Sequence, residues 1–583
     1  MASQLVLPFS MAWAAMMGAL APRGICRYIP GDAGWPNATD WDALNATVGG
    51  RLIKNVPVAA VCHTAGTFAA YDKEACEKLA RDWRDASAET LFPQPGEMWH
   101  PYFQNQSCTP FTAPEVPCEL GNRPVYSINV TGVADVQAGL KFATEKNVRL
   151  SVMNTGLDYL GKSSGQGSLG LWVYNLKTQE IIPEYTSPSY SGPALRMGAG
   201  VISGETNELL ARAGYRADLA SCGLTGVVGG YLQGGGQGQL ISAHGMPADN
   251  VLEWEVVTPT GEHVSASPEQ NPDLYWALTG GGGGTYGVVL SVVIKVFRDG
   301  PIAGGQLMVQ SENSEAIWDA ARTWIEHLPR HVDGTRNLFH FGITKTIFWV
   351  FAFIMPDQDT TAIDALLRPF LPELDRLGLG YELTTVNYTN YLDAYLSTYG
   401  PLPYGAICPK WPIISSRLIP RSVLADTAQR NALVDFFQDV ARDGKWFWGC
   451  SFFDVNDKAG SPRGPHPPNS IHPAWRDAGA YCNPQPELSG GYHWEEPEID
   501  EALRKKLVTE FIPRNEALTP NSCHVNELDP TYQGDWKDAL YGPNYARLLH
   551  IKHRYDPNYI MYGQWAVGSD EFTVDGDGRL CKI

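Results

Sequence analysis

The chain has 583 residues, too many for one ordinary hydrophobic core, so two or three packed units are expected. Hydrophobic residues make up 44% and charged residues 18%, which excludes a disordered chain. With 44 basic against 63 acidic residues the net charge is −19, which repels polyphosphate and argues against nucleic acid as a partner.

The chain opens on an apolar run, Leu5 to Ala21, ending in Gly18-Ala19-Leu20-Ala21 before Pro22. Residues 1–22 resemble a secretory signal, although the first residues lack the usual positive charge; a buried N-terminal helix is the competing reading. The run is short for a membrane span, and none is expected in the mature chain. Glycosylation sequons at Asn37, Asn45, Asn105, Asn129 and Asn387 fit a secreted or endomembrane, N-glycosylated protein. Eleven cysteines show no Cys-x-x-Cys pair or Cys/His metal spacing, so disulfides are expected and a metal is not.

Residues 23–120 are rich in Pro, Trp and Cys with little periodicity, as in a stapled, loop-rich lead-in. From 124 to 298 short β-rich runs (Val125–Val130, Arg149–Val152, Gly170–Tyr174, Leu195–Met197, Val251–Val257, Val288–Val296) alternate with helical stretches at Ala134–Glu145 and Ser203–Ala213. Residues 301–520 offer amphipathic helices (Glu315–Leu328, Ser422–Arg442) and aromatic strands (Leu338–Met355, Lys445–Phe453), an α+β pattern of a sheet backed by helices.

Three glycine-dense stretches stand out. The first, Val152 to Gly165, contains Gly156-Leu-Asp-Tyr-Leu-Gly161-Lys162-Ser163, which fits the nucleoside-triphosphate loop, and Gly161 to Gly165 fits the nucleophile elbow. Both readings fail, because each motif must open a helix and Ser164 to Gly170 is too glycine-rich to propagate one. The second runs from Cys222 through Gly226, Gly229, Gly230 and Gly234 to Gly238, and the third from Asn271 through Gly280–Gly284 to Val289. Such clusters let backbone approach a ligand and offer it N–H donors.

These stretches, in this order, resemble the FAD-binding region of the vanillyl-alcohol-oxidase flavoproteins, most closely the fungal berberine bridge enzyme-like branch. The segments Pro247–Val251, Val257–Gly261 and Tyr541–Asn558 resemble that family too. The resemblance implies a two-part, PCMH-type FAD-binding domain over residues 23–300, with its core at 120–300. A berberine bridge enzyme-like segment, 521–583, would return to it. Residues 301–520 would be a substrate-binding domain with an antiparallel sheet backed by helices. Asn154, Thr155, Gly156, Leu157, Asp158, Tyr159, Gly161, Lys162, Ser163 and Ser164 would hold the pyrophosphate. Gly226, Gly229, Gly230 and Gly234 would allow close approach, Val289 would lie near the adenine, and Asn544 and Tyr545 would contact the flavin ring.

The chain departs from the family at Leu157, where a histidine usually bonds the flavin; leucine has no nucleophilic atom, so noncovalent FAD is expected. Cys222 stands where the family's second tether lies; a single link through it and a buried structural cysteine are both open readings. Lys162 replaces the usual Arg and Gln237 the usual His.

Tyr159, Glu527 and Asn526 are the catalytic candidates: a phenol near the ring, a carboxyl desolvated by aromatics that could act as general acid or base, and a polar orienter. His550 and His553 read as a helix surface. The expected function is FAD-dependent oxidation of a small, largely apolar secondary metabolite by hydride transfer to flavin N5, with O2 as acceptor, in a monomer or homodimer. The alternative is non-redox isomerisation or cyclisation with FAD structural and Glu527 as general acid; a ligand-binding relic is a third.

Overall fold

This computed structural model describes residues 26–85, 93–402, 413–458, 463, 466–486 and 492–583. The expected signal, residues 1–22, lies outside the described residues. Among the described residues no helix is long and apolar enough to cross a membrane.

The first sheet holds β1 (Leu52–Lys54), β2 (Tyr126–Asn129), β3 (Leu150–Met153) and β4 (Leu169–Trp172) in the order β1-β2-β4-β3. β2, β4 and β3 are parallel, so a crossover must connect β2 to β3, and the helix Val133–Glu145 supplies it. Gly139 lets that helix lie close: a Cβ there would sit 2.6 Å from Leu171 Cδ2. The 154–168 loop leaves the carboxyl end of β3, where open α/β sheets place their ligands.

The second sheet is antiparallel, with β5 (Gln179–Ser187), β6 (Tyr190–Gly198), β8 (Val251–Val257), β9 (His263–Ala266) and β10 (Val288–Lys295) in the order β5-β6-β10-β8-β9. The valine-rich run of β10 is buried up to Lys295, which explains its lack of alternation. A short pair, β7 (Tyr215–Arg216) with β11 (Phe297–Arg298), follows.

Residues 302–486 build a seven-stranded antiparallel sheet from β12 (Ile302–Gln310), β13 (Leu338–Ile343), β14 (Ile347–Pro356), β15 (Tyr381–Tyr388), β16 (Arg417–Pro420), β17 (Trp446–Phe452) and β18 (Ala478–Pro486). Their order is β15-β12-β14-β13-β17-β18-β16. Helices Ser314–His327 and Thr427–Ala441 back one face, burying Ile317, Ala321 and Trp324, and stacking Phe437 on Trp448 with ring centroids 3.9 Å apart. Cys450 and Cys482 face each other in register on β17 and β18 and are bonded.

Two expected elements divide. Leu338–Met355 is a hairpin, because Thr344 Oγ1 accepts the Thr346 and Ile347 N–H groups and turns the chain without glycine or proline. Ser422–Arg442 is two helices, Arg421–Ala425 and Thr427–Ala441, since Asp426 leaves helical geometry to cap Gln429 N.

The C-terminal part returns to the first two sheets. In the helix Tyr545–Tyr555 the buried Lys552 Nζ donates to Thr285 O (2.8 Å), Met561 O (2.7 Å) and Asp556 Oδ2 (2.6 Å). That ties the last segment to the third glycine run. β19 (Phe572–Val574) and β20 (Leu580–Lys582) close the chain, and Cys26–Cys581 joins its ends. Four disulfides with both partners described place the chain in an oxidising environment.

Candidate active site

The three glycine runs meet. Residues 163–168 form turns rather than a helix, so neither rejected motif is realised. Gly156 takes φ +76°, where a Cβ would also strike the Glu97 carbonyl oxygen, so only glycine serves. Asp158 organises the loop from within, its carboxylate accepting Leu160 N (2.9 Å), Ser163 N (2.7 Å) and Ser163 Oγ (2.9 Å). The N–H groups of Gly156, Leu157, Asp158 and Tyr159 make no hydrogen bond among the described residues.

The second run crosses behind this loop, and Asn154 Nδ2 lies where a Gly226 Cβ would project. The third docks on the second: Gly280 N and Gly282 N both donate to Gln233 O, at 3.0 and 2.8 Å. A Cβ on Gly283 would sit 3.1 Å from Gly230 Cα. Together the runs line one cavity of about 410 Å³.

Two features match a bound dinucleotide. Positions 229, 230 and 284 line the cavity, and a Cβ at any of them would meet nothing within 4 Å, so the missing methyls leave a cradle at the backbone. Lys162 Nζ is sealed from solvent, lines the same cavity and has no hydrogen-bond partner among the described residues. Burial pulls its ammonium down to about 8, with Asp158 opposing. A diphosphate would satisfy both features.

Asn154, Thr155, Gly156, Leu157, Asp158, Tyr159, Lys162, Ser163, Cys222, Gly226, Gly229, Gly230 and Val289 all line the cavity. Five expected ligands do not. Gly161 faces the Phe103 ring, Ser164 Oγ donates to Met98 S at 3.0 Å, and a Gly234 Cβ would meet Asn526 Nδ2 at 2.5 Å. Asn544, expected at the ring, spends its amide on Ser470 O and Ile471 O, both 3.2 Å away, and Tyr545 OH donates to Asp570 at 2.8 Å. Cys222 is neither a free packed thiol nor available as a tether: it is disulfide-bonded. The free cysteine among the described residues is the buried Cys523, whose thiol burial pushes up to about 12.

The catalytic candidates converge on the same cavity. Tyr159 stands edge-on to Trp99 at 5.3 Å, and burial, then the Glu527 charge, raises its phenol. Glu527 is half-buried, yet its Oε2 is sealed from solvent and unpartnered among the described residues; burial pushes the carboxyl up to about 8. Asn526 lines the cavity, and its Nδ2 donates to Gly230 O at 2.7 Å, which pins the second glycine run.

Sequence reasoning missed His524, His340, Asn483 and Gln485, all of which line the cavity. His524 Nδ1 accepts the Asn526 N–H at 3.1 Å, which leaves the neutral ring's proton on Nε2. Burial, then Lys162, holds that imidazole down at about 4. Tyr481, Asn483 and Gln485 alternate along β18, a period of two that the sequence displays between Tyr481 and Gln485.

Comparison with known proteins agrees with this geometry. Residues 124–267 match the FAD binding domain family and 523–560 the berberine and berberine-like family. The bifunctional decalin synthase of Penicillium decumbens is 44% identical over 571 residues, covering 97% of each chain. A VAO-type flavoprotein oxidase of Thermothelomyces thermophilus is 44% identical over 563 residues, covering 96% of this chain and 95% of its own. The crystal structure of the VAO-type flavoprotein MtVAO615 from Myceliophthora thermophila C1 superposes with a TM-score of 0.90 at 43% identity, covering 96% of this chain and all (100%) of that one. With the cradle, the buried lysine and near full-length kinship all pointing one way, the chain belongs to the FAD-linked oxidoreductases of the vanillyl-alcohol-oxidase type, in their berberine bridge enzyme-like branch.

Proposed function

We propose that this enzyme oxidises a small secondary metabolite, with Glu527 removing the proton and the 301–520 unit supplying the substrate-facing sheet. One observation carries the reading: the unpartnered Glu527 carboxyl and the glycine cradle with Lys162 line the same cavity. When bound, FAD supplies a hydride acceptor at flavin N5 that O2 can restore with release of H2O2. Tyr159, raised by burial, stays a phenol and can donate a hydrogen bond to the substrate. Asn526 keeps the Gly230 peptide in place, and Asn154–Ser163 bind the diphosphate through main-chain amides and Lys162.

A second reading is favoured by the proton that Glu527 holds at neutral pH. A carboxylic acid kept protonated by burial can drive an isomerisation or cyclisation, and one relative bears the name decalin synthase. Anaerobic mixing with a substrate separates the two: bleaching of the flavin band is expected, and turnover without bleaching moves the enzyme to the second reading.

The cofactor is held without a covalent bond, because Leu157 offers no nucleophile and Cys222 is in a disulfide. Acid precipitation is expected to leave the flavin in the supernatant and a colourless pellet; a yellow pellet overturns this. We also propose a secreted glycoprotein, supported by the disulfides and by the exposure of Asn37, Asn105 and Asn387.

A further inference from the structure

The cavity-facing side of the seven-stranded sheet has a step in it that the register explains. Residues opposite one another on neighbouring strands project to the same face. His340, Ser451 and Tyr481 form one row across β13, β17 and β18. The next row is Gly342, Gly449 and Asn483, with Trp349 of β14 opposite Gly342. Phe447 and Gln485 belong to the row after that. Two neighbouring glycines between rows that carry His340 and Tyr481 on one side and Phe447 and Gln485 on the other lower the surface by the depth of a side chain.

Backbone packing does not require those glycines. Among the described residues a Cβ on Gly342 would touch only Trp448 O, at 3.7 Å, and one on Gly449 only Asn483 Oδ1 and Phe447 Cε2, at 3.6 and 3.9 Å. Neither residue has a positive φ. Among the described residues nothing fills the trough, and its glycines relieve no backbone strain.

A second observation says what the space receives. His340 is 7% exposed and lines the cavity. Its Nδ1 lies 2.6 Å from Ser451 Oγ, its ring stacks on Phe351 at 5.4 Å, and its Nε2 has no partner among the described residues. Ring and strand fix the imidazole, so the unmet Nε2 waits for a ligand atom. A hydrocarbon in the trough would leave a buried polar atom unsatisfied; an oxygen placed there would not.

We infer that Gly342, Gly449 and His340 form the specificity site of this enzyme: a ring-bearing substrate lies in the glycine trough with one hydroxyl or carbonyl oxygen bonded to His340 Nε2. The inference rests on the proposed reading of the cavity as the substrate site of an FAD enzyme, and it adds one oxygen to the expected, largely apolar substrate. The contact is with a neutral ring, since burial holds His340 down at about 4, so it persists throughout the neutral range.

The test titrates holoenzyme with 1-decalone and, in parallel, with decalin, which differs by lacking the oxygen, and follows perturbation of the flavin band. The ketone is expected to bind about tenfold tighter. His340→Phe is expected to abolish that preference and His340→Gln to keep part of it, both with unchanged bound flavin. Gly449→Ala, which the backbone accepts, is expected to weaken both probes about tenfold at an unaltered ratio. An intact preference in His340→Phe, or undiminished binding in Gly449→Ala, overturns the assignment. If neither probe binds while flavin stays bound, this site is wrong and the FAD reading stands; protein that takes up no FAD removes the FAD reading instead.

Discussion

Glu527→Gln lowers turnover by about 10²- to 10⁴-fold with bound flavin unchanged, the loss expected when a positioned acid or base is removed. The main chain around Glu527 is fully engaged. His524 N donates to Ser416 Oγ at 3.0 Å, Ser416 N donates to Glu527 O at 3.0 Å, and Glu527 N donates to His524 O at 2.9 Å. The carboxyl that this frame holds ties no other element in place: its Oε2 is buried and unpartnered among the described residues. Glutamine keeps the shape and removes the proton chemistry, so an active Gln variant would take Glu527 out of the reaction.

The pH dependence assigns its role. Burial raises the carboxyl from 4.5 to about 8, so the ionised form dominates only above that value. If Glu527 is the base, kcat/KM of the wild type climbs through about 8 and levels off above, and the Gln variant loses that limb. A profile that falls through 8 instead marks an acid and selects the non-redox reading. Stability moves opposite to the activity of a base. The folded state binds the extra proton between 4.5 and 8, so this group's contribution is complete below 4.5 and is lost as pH rises through 8. Glu527→Gln should flatten that part of the stability curve.

The cofactor end of the cavity was legible in the sequence because glycine carries its meaning locally. Gly156 at positive φ and Gly283 against Gly230 leave little room for a side chain, and Gly229 and Gly230 keep the cavity wall free of one, so their clustering announced a backbone-lined site. Strands such as Val251–Val257 were legible for a related reason: β-branched runs state their burial directly. The substrate end was not. His340 lies on a different strand from Tyr481, Asn483 and Gln485, and only the register of β13 against β17 and β17 against β18 brings them onto one face. Asn544 and Tyr545 lie outside the cavity lining, and nothing near them in sequence reveals the 470–471 carbonyls and Asp570 that claim their side chains. Cys222 failed likewise, since disulfide pairing is a property of space.

Lys162→Met should move two measurements in opposite directions. Lys162 Nζ is enclosed, 3.4 Å from where a Cβ on Gly282 would sit, with no partner among the described residues. Asp158, the nearby carboxylate, is committed to Leu160 and Ser163. Keeping an unpaired ammonium there costs the apoprotein stability, which the fall of its pKa from 10.5 to about 8 expresses. Between those values the unfolded chain holds a proton that the folded one has released, so apoprotein stability rises with pH from 8 to 10.5. Methionine, similar in length and uncharged, removes the penalty: the apo variant should melt higher at neutral pH and lose the alkaline gain. FAD binding should weaken by at least about 30-fold, because the diphosphate loses a buried charge-assisted partner. Wild-type affinity should also fall above pH 8 while the variant's stays level, and Lys162→Arg, which keeps the charge, should bind close to normally. If the lysine were only a packing element, methionine would leave affinity unchanged and both proteins would show the same pH dependence. A variant that gains apoprotein stability and loses cofactor has no such explanation, because packing defects lower both.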